Sequence, residues 1–187
     1  MWARRRGGRP LRVLVLGGAR SGKSVTAERW LAGCDRVHYV ACGPTVDDTD
    51  PSWAERVGRH QARRPAHWTT LETLDLAGVL GEDRPGIPVL VDCLSTWLAG
   101  VMDECGLWAG AAGADKELAE RVDELLAAWR STRRRVIAVS NEVGSGVVPG
   151  TASGVRYRDE LGALNAAVAA ECEQVWHCVA GIARRLK

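Results

Sequence analysis

The sequence predicts an α/β fold in three layers, a mainly parallel sheet covered by helices. Three observations predict it. Short runs rich in apolar and β-branched residues recur at Val13–Leu16, Val37–Ala41, Trp68–Thr73, Val89–Val91, Arg135–Ser140 and Val175–Val179. Segments with helical spacing lie between them; the cleanest begins at Asp115 and places Leu118, Val122, Leu125 and Trp129 on one stripe. The first apolar run then passes straight into Gly17-Gly18-Ala19-Arg20-Ser21-Gly22-Lys23-Ser24, a glycine-rich passage from strand to helix. Strands that alternate with helices are joined by crossovers, right-handed by default, which leave neighbouring strands parallel.

Residues 17–24 fit the pattern of glycine, four residues and Gly-Lys-Ser that marks a phosphate-binding loop. Its glycines let the backbone wrap close to phosphate oxygens, with N–H groups aimed inward at the positive end of the next helix. In such a loop Lys23 reaches the terminal phosphates and the Ser24 hydroxyl holds Mg²⁺. Arginine outnumbers lysine by 22 to 3 in this chain, yet a lysine stands here. A compact ammonium suits this cradle where a planar guanidinium does not. The expected fold is therefore a P-loop NTPase of the RecA-like kind. The other reading of the same residues is a glycine-rich turn with no ligand.

A chain of 187 residues and 20.2 kDa has the length of one domain with a proper core. Its 46% apolar and 26% charged residues are those of an ordinary soluble globular protein. Residues 1–10 hold four arginines and no acid, so the net charge of +2 becomes −2 over the remainder. We read 1–10 as a basic disordered tail and 11–187 as a single nucleotide-binding catalytic domain. A body without a basic surface argues against a nucleic-acid partner. No apolar stretch precedes the first strand to make a secretory signal, and none approaches the roughly 18 residues that span a bilayer. A cytoplasmic enzyme is expected. The six cysteines (Cys34, Cys42, Cys93, Cys105, Cys172, Cys178) have no zinc-site spacing and are expected as reduced, partly buried thiols.

In chain order, Ser24–Ala32 carries helix formers and stops at Gly33. The strand Val37–Ala41 opens into Cys42-Gly43-Pro44, at the edge of the sheet where α/β proteins hold ligands. Asp47, Asp48 and Asp50 are read as caps of a helix over Pro51–Arg64, with metal binding as the minor alternative. On that helix Arg56, His60 and Arg63 share a face, with Arg59 adjacent. This cationic stripe is either phosphate-facing or a solvated surface. Asp75–Leu80 is a short helix. Asp92 directly follows the strand Val89–Val91, where the second acidic motif of P-loop proteins contacts Mg²⁺; such an acid is also a common helix cap. Leu94–Met102 is helical, Asp103–Ala114 is a loop, and Val143–Pro149 is a glycine turn at the ligand edge. Leu161, Leu164, Val168 and Cys172 mark a last long helix before the final strand, Val175–Val179.

Several stretches together resemble one family: GGARSGKS at 17–24, RVGRHQARRPAHW at 56–68, LVDCLSTWL at 90–98, SNEVGSGVVP at 140–149 and RYRDELGALN at 156–165. The resemblance is to the bifunctional adenosylcobinamide kinase/adenosylcobinamide-phosphate guanylyltransferase family of cobalamin synthesis. It implies that ATP or GTP phosphorylates the aminopropanol hydroxyl of adenosylcobinamide. It further implies that GTP guanylylates a histidine, which passes GMP to the phosphorylated corrinoid. The family's guanylylated histidine precedes an RP-x-x-W segment, which is His60 here; His67, inside that segment, is the second candidate. A neutral imidazole is a good nucleophile near neutral pH, and the phosphoramidate it forms is reactive enough to pass GMP on. Arg56, Arg59, Arg63 and Arg64 would neutralise the triphosphate and the charge of the transition state.

By the same likeness the nucleotide contacts are Gly17, Gly18, Ala19, Arg20, Ser21, Gly22, Lys23, Ser24, Cys42, Gly43, Pro44, Gln61, Ala62, Arg63, Arg64, Glu72 and Asp92. Ser24 and Asp92 are the metal ligands, and Lys23 and His60 are catalytic. Arg156, Arg158 and Asp159 are either site residues, a subunit contact or a helix-face ion pair. The resemblance also implies a homo-oligomer such as a trimer. The chain departs from the family pattern at Asp92, where relatives often carry glutamate, at Tyr157, usually phenylalanine, and at Ala166, often glutamine. A monofunctional P-loop kinase and a nucleotide-driven nucleic-acid-binding module share the loop but not the histidine segment.

Overall fold

The apolar runs Val13–Val15, Val89–Val91 and Val136–Val139 form strands whose two faces are both buried. The computed structural model describes residues 11–43 and 51–187, apart from the side chains of Pro51, Ser52, Trp53, Arg56, Arg59 and His60. The basic head 1–10, Pro44 and the acids Asp47, Asp48 and Asp50 lie outside the described residues. The strands are β1 (Arg12–Gly17), β2 (His38–Ala41), β3 (Thr69–Glu72), β4 (Val89–Asp92), β5 (Val136–Asn141), β6 (Gln174–Val179) and β7 (Ile182–Arg185). The helices are α1 (Lys23–Leu31), α2 (Pro51–Arg63), α3 (Leu76–Gly81), α4 (Leu94–Glu104), α5 (Ala114–Ser131) and α6 (Ala152–Glu171). One seven-stranded sheet results, in the order β3-β2-β4-β5-β1-β6-β7. Every pairing is parallel except β6 with β7.

Two features differ from the expectation. Val175–Val179 is not the last strand, because the chain reverses at Ala180 and Gly181 and adds β7 antiparallel at the edge. The loop between α4 and α5 contains a 3-10 turn at Leu107–Ala109, flanked by Gly106 and Gly110 at positive φ.

Alternation sorts each strand between two cores. Val13 and Val15 of β1, Leu90 of β4, and Ile137 and Val139 of β5 pack toward Ala27 and Leu31 of α1. Leu14, Val89, Val91, Val136 and Ala138 face the other way, against residues of α3 to α6 that include Leu80, Leu98, Leu125, Trp129 and Leu164. Burial on both faces is why these strands read as unbroken apolar runs rather than as alternating ones.

Two buried arginines tie strand starts to helix ends. Arg134, with no exposed surface, donates to the carbonyls of Val79 and Ile87, each at 2.9 Å, and to Glu82 at 3.1 Å. Arg12 donates to Glu173 at 2.8 Å and to the Trp129 carbonyl at 3.0 Å, and its backbone N–H reaches Glu173 at 2.6 Å.

Burial alone would raise the Glu173 carboxyl, but the hydrogen bonds from Arg12 outweigh it and hold the group below the usual carboxylate range. A depressed carboxylate stabilises the fold above its unfolded value, and that contribution fades as the pH falls through the folded value. Glu173→Gln should therefore cost about 1 kcal/mol at pH 7. In urea titrations the gap from the unaltered chain should close between about pH 5 and pH 3.

Candidate active site

Parallel register brings the carboxyl ends of five strands to one edge. Gly17 of β1 lies opposite Asn141 of β5, and Ala41 of β2 lies opposite both Asp92 of β4 and Glu72 of β3. A cleft of about 390 Å³ opens there.

Its floor is the loop between β1 and α1. The loop turns through Arg20 at φ 56° and Gly22 at φ 92°, and the Gly22 carbonyl then accepts from the Thr26 N–H at 2.9 Å. A side chain on Gly17 would bring its Cβ to 2.6 Å from the Cys178 carbonyl oxygen, so glycine is required by space at this position. On the other flank the Gly181 N–H donates to the Ser21 carbonyl at 2.9 Å, and a Cβ on Gly22 would come within 3.0 Å of the Gly181 Cα. The β6–β7 turn thus braces the loop from outside. Lys23 lies back along it, its Nζ donating to the Gly18 carbonyl at 3.2 Å.

Above the loop, Ser24 Oγ donates to Asp92 Oδ1 at 3.2 Å. Tyr39 donates its hydroxyl to Asp92 Oδ2 at 2.5 Å. Burial first, and the Asp92 charge second, push the Tyr39 phenol far above its ordinary range, so it remains a donor. The Arg64 guanidinium sits 3.5 Å from the centroid of the Tyr39 ring and donates to Thr70 Oγ1 at 3.2 Å. Arg63 makes two bonds of 3.2 Å to the Glu28 carboxylate on α1, and these raise its pKa further.

Most of the expected nucleotide-side residues come together here. Ala19, Arg20, Ser21, Gly22, Lys23 and Ser24 line the cleft with Gly43, Gln61, Arg63, Arg64, Glu72 and Asp92. Gly17 and Gly18 form the foot of the loop. Cys42 does not present its side chain: it is buried among the residues under α3 and α4, and burial pushes its thiol well up. Period-two alternation puts it on the face of Val40, and it is not among the residues that line the cleft. Ala62 is exposed and lies outside the lining, as does the exposed His67. His60 stands on α2 one turn before Arg63; its side chain lies outside the described residues.

Of the alternatives at 156–159, the single chain shows ion pairs. Arg156 bridges Asp115 on α5 at 2.6 Å and Glu160 at 2.8 Å, and Arg158 pairs with Asp159 at 3.3 Å. None of the three lines the cleft. Tyr157 supplies a reason for its hydroxyl, which donates to the Ser95 carbonyl at 2.9 Å. Asn165 donates to the Asn141 carbonyl at 3.0 Å and steadies the end of β5, while Ala166 is exposed. In the 143–149 turn, Val147 and Val148 are 95% and 60% exposed.

The family described as CobU, cobinamide kinase / cobinamide phosphate guanyltransferase, matches residues 13–186. The chain belongs to this family. It is 43% identical over 180 residues to the bifunctional adenosylcobalamin biosynthesis protein CobP of Pseudomonas aeruginosa, covering 95% of this chain and 98% of that one. It is 33% identical over 187 residues to the bifunctional adenosylcobalamin biosynthesis protein CobU of Salmonella typhimurium, covering 94% and 99%. Among solved structures, an ATPase from the type III secretion system of pathogenic bacteria superposes with a TM-score of 0.52 at 13% identity. That match covers 91% of this chain but about half, 52%, of the ATPase, and it shows a shared α/β fold alone.

In this cobinamide kinase / cobinamide phosphate guanyltransferase chain, sequence reasoning missed Tyr39, Cys93, Thr96 and Asn141, all of which line the cleft. Asn141 carried a signal, since it ends an apolar strand; Tyr39 carried none, being one apolar-looking residue in VHYVA. The half-buried Cys93 at the cleft and the deeply buried Cys42 behind it offer a test of the geometry. Alkylation followed by mass spectrometry should label Cys93, leave Cys42 unmodified in the folded protein, and slow severalfold at Cys93 when GTP is added.

Proposed function

We propose that this chain phosphorylates adenosylcobinamide on its aminopropanol hydroxyl and then transfers GMP, through guanylylated His60, to adenosylcobinamide phosphate. The supporting observation is that the last turn of α2, which bears His60, and the phosphate-binding loop border one cleft. In the first reaction the alcohol oxygen attacks the γ-phosphorus of ATP or GTP, the bond to the β-phosphate oxygen breaks, and the alcohol proton is lost. Lys23 and the inward N–H groups of residues 18–24 bind the phosphates and fix the line of attack. In the second, an imidazole nitrogen of His60 attacks the α-phosphorus of GTP and pyrophosphate leaves. A phosphate oxygen of the phosphorylated corrinoid then attacks the same phosphorus and releases the imidazole, giving adenosylcobinamide-GDP. Arg63 and Arg64 flank the triphosphate and offset the charge that builds on it.

Ser24 and Asp92 present hydroxyl and carboxylate oxygens that meet at 3.2 Å, a donor set suited to Mg²⁺ carried in with phosphates. A Mg²⁺ ion held by these two side chains would supply positive charge to offset that of the phosphates. Among the described residues no helix is long and apolar enough to cross a membrane, and we place the enzyme in the cytoplasm.

GTP labelled at the α-phosphate tests the histidine. The protein should acquire an acid-labile, alkali-stable label that His60→Ala abolishes while phosphorylation of the corrinoid continues. Lys23→Ala should lose both activities by at least a hundredfold. A wild-type protein that takes no label would leave a monofunctional kinase.

The likeness to the family also leads us to propose a homo-oligomer, a trimer in particular. Supporting it, the apolar residues Val147, Val148, Val179 and Ile182 are exposed on the single chain. Light scattering coupled to gel filtration should give a mass near three times 20.2 kDa; a mass of 20.2 kDa would contradict it.

A further inference from the structure

Asp92 ends a strand, and a carboxylate in that place is free to rotate unless both oxygens are held. Ser24 Oγ takes Oδ1 at 3.2 Å and the Tyr39 hydroxyl takes Oδ2 at 2.5 Å. The Tyr39 ring is 1% exposed and is packed in the α1-side core, so its hydroxyl is fixed in space by the core itself. The same ring is the platform for Arg64, whose guanidinium lies 3.5 Å from its centroid. One side chain therefore touches the acid at the end of β4 and the arginine that follows α2.

We infer that Tyr39 is a positioning residue of the active site: its hydroxyl sets the orientation of Asp92 toward the metal-bound nucleotide, and its ring sets Arg64 over the cleft. The inference rests on the reading of Asp92 as the metal-side acid. The chemistry is that of an outer partner that orients a metal ligand without touching the metal. With Oδ2 engaged by Tyr39, Oδ1 is the oxygen turned toward Ser24. A hydrogen bond from a neutral phenol orients the carboxylate without removing its charge, whereas a cationic partner in that position would compete with a divalent ion for it. The arginine contact adds a separable effect, because the guanidinium stacks on the face of the ring and not on the hydroxyl.

Two substitutions separate the hydroxyl from the ring. Binding of GTP to the full-length enzyme is measured calorimetrically, once in EDTA and once across a Mg²⁺ titration. Tyr39→Phe keeps the ring and should raise the Mg²⁺ concentration for half-maximal enhancement of binding about tenfold, with affinity in EDTA changed less than about twofold. Tyr39→Leu removes the ring as well and should in addition weaken binding in EDTA by about threefold, the size of a partly exposed cation–π contact. Thermal unfolding of Tyr39→Phe, which deletes a single oxygen, confirms that the comparison is between folded proteins.

Asp92→Asn is titrated in parallel. If it shifts the Mg²⁺ dependence and Tyr39→Phe does not, the positioning role is overturned while the metal-side reading of Asp92 stands. If Asp92→Asn itself leaves the Mg²⁺ dependence unchanged, the metal-side reading falls and the inference falls with it.

Discussion

The arrangement depends on the parallel register of β4, β5 and β1. These strands are apolar on both faces, so alternation by itself does not select a register: a slip by one residue would still leave apolar side chains on each side. The polar ends select it. Drawing Asp92 one place into the sheet would bury a carboxylate between β2 and β5, far from water and from Ser24, at a cost of several kcal/mol. Pairing Asp92 with Ala41 on one side and Val139 on the other puts the carboxylate just past the last covered position. The acid that lines the cleft is also what fixes the strand that carries it.

The phosphate-binding loop meets a second constraint. Its N–H groups must face inward and stay inward, although a run of glycines has more backbone freedom than any other sequence. The chain restrains it from two sides. β1 and β6 hold Gly17 so closely that no side chain fits, and the turn of the last hairpin donates a hydrogen bond from Gly181 to Ser21. Ala180 and Gly181 both take positive φ, 50° and 79°, the geometry of a tight two-residue hairpin turn. The last strand thus matters less as a part of the sheet than as the support that presents this turn to the loop.

What the sequence disclosed follows from which features are contiguous. The loop was legible because a phosphate cradle needs its glycines, lysine and hydroxyl within eight residues of one another. Asp92 was legible as an acid closing an apolar run, and α5 through its regular stripe. β7 was not, because Ile182-Ala183-Arg184-Arg185 has no apolar period and owes its extended form to pairing with β6. The Tyr39–Asp92 bond joins residues 53 apart, and the Arg156–Asp115 pair residues 41 apart, distances over which no local pattern operates. The burial of the Cys42 side chain has a different reason: its place at a strand end pointed to the ligand edge, while its parity with Val40 pointed to the core, and parity decides where a side chain goes.

The attachment of α2 bears on why a helix, rather than a strand end, carries the histidine segment. No described side chain of α2 is fully buried. At its C-terminal end the chain is fastened by Arg63 to Glu28 and by Arg64 to the Tyr39 ring, an ion pair and a stacked contact. Such contacts are worth little individually and exchange readily for other charged partners. A helix fastened by apolar burial would lose about 25 cal/mol for each Å² uncovered if it shifted. One fastened by guanidinium groups loses far less, because phosphate oxygens are as good a partner for arginine as a carboxylate. On the proposed reaction sequence, a site that accepts nucleotide, releases pyrophosphate and then admits a large corrinoid next to the same residues would need its walls fastened by contacts of that kind. The loop and the sheet edge, by contrast, hold the triphosphate against rigid backbone. In the mechanism we propose, the division of the cleft into a fixed floor and a polar-fastened wall would let a single phosphate cradle serve attack at either end of the chain of phosphates.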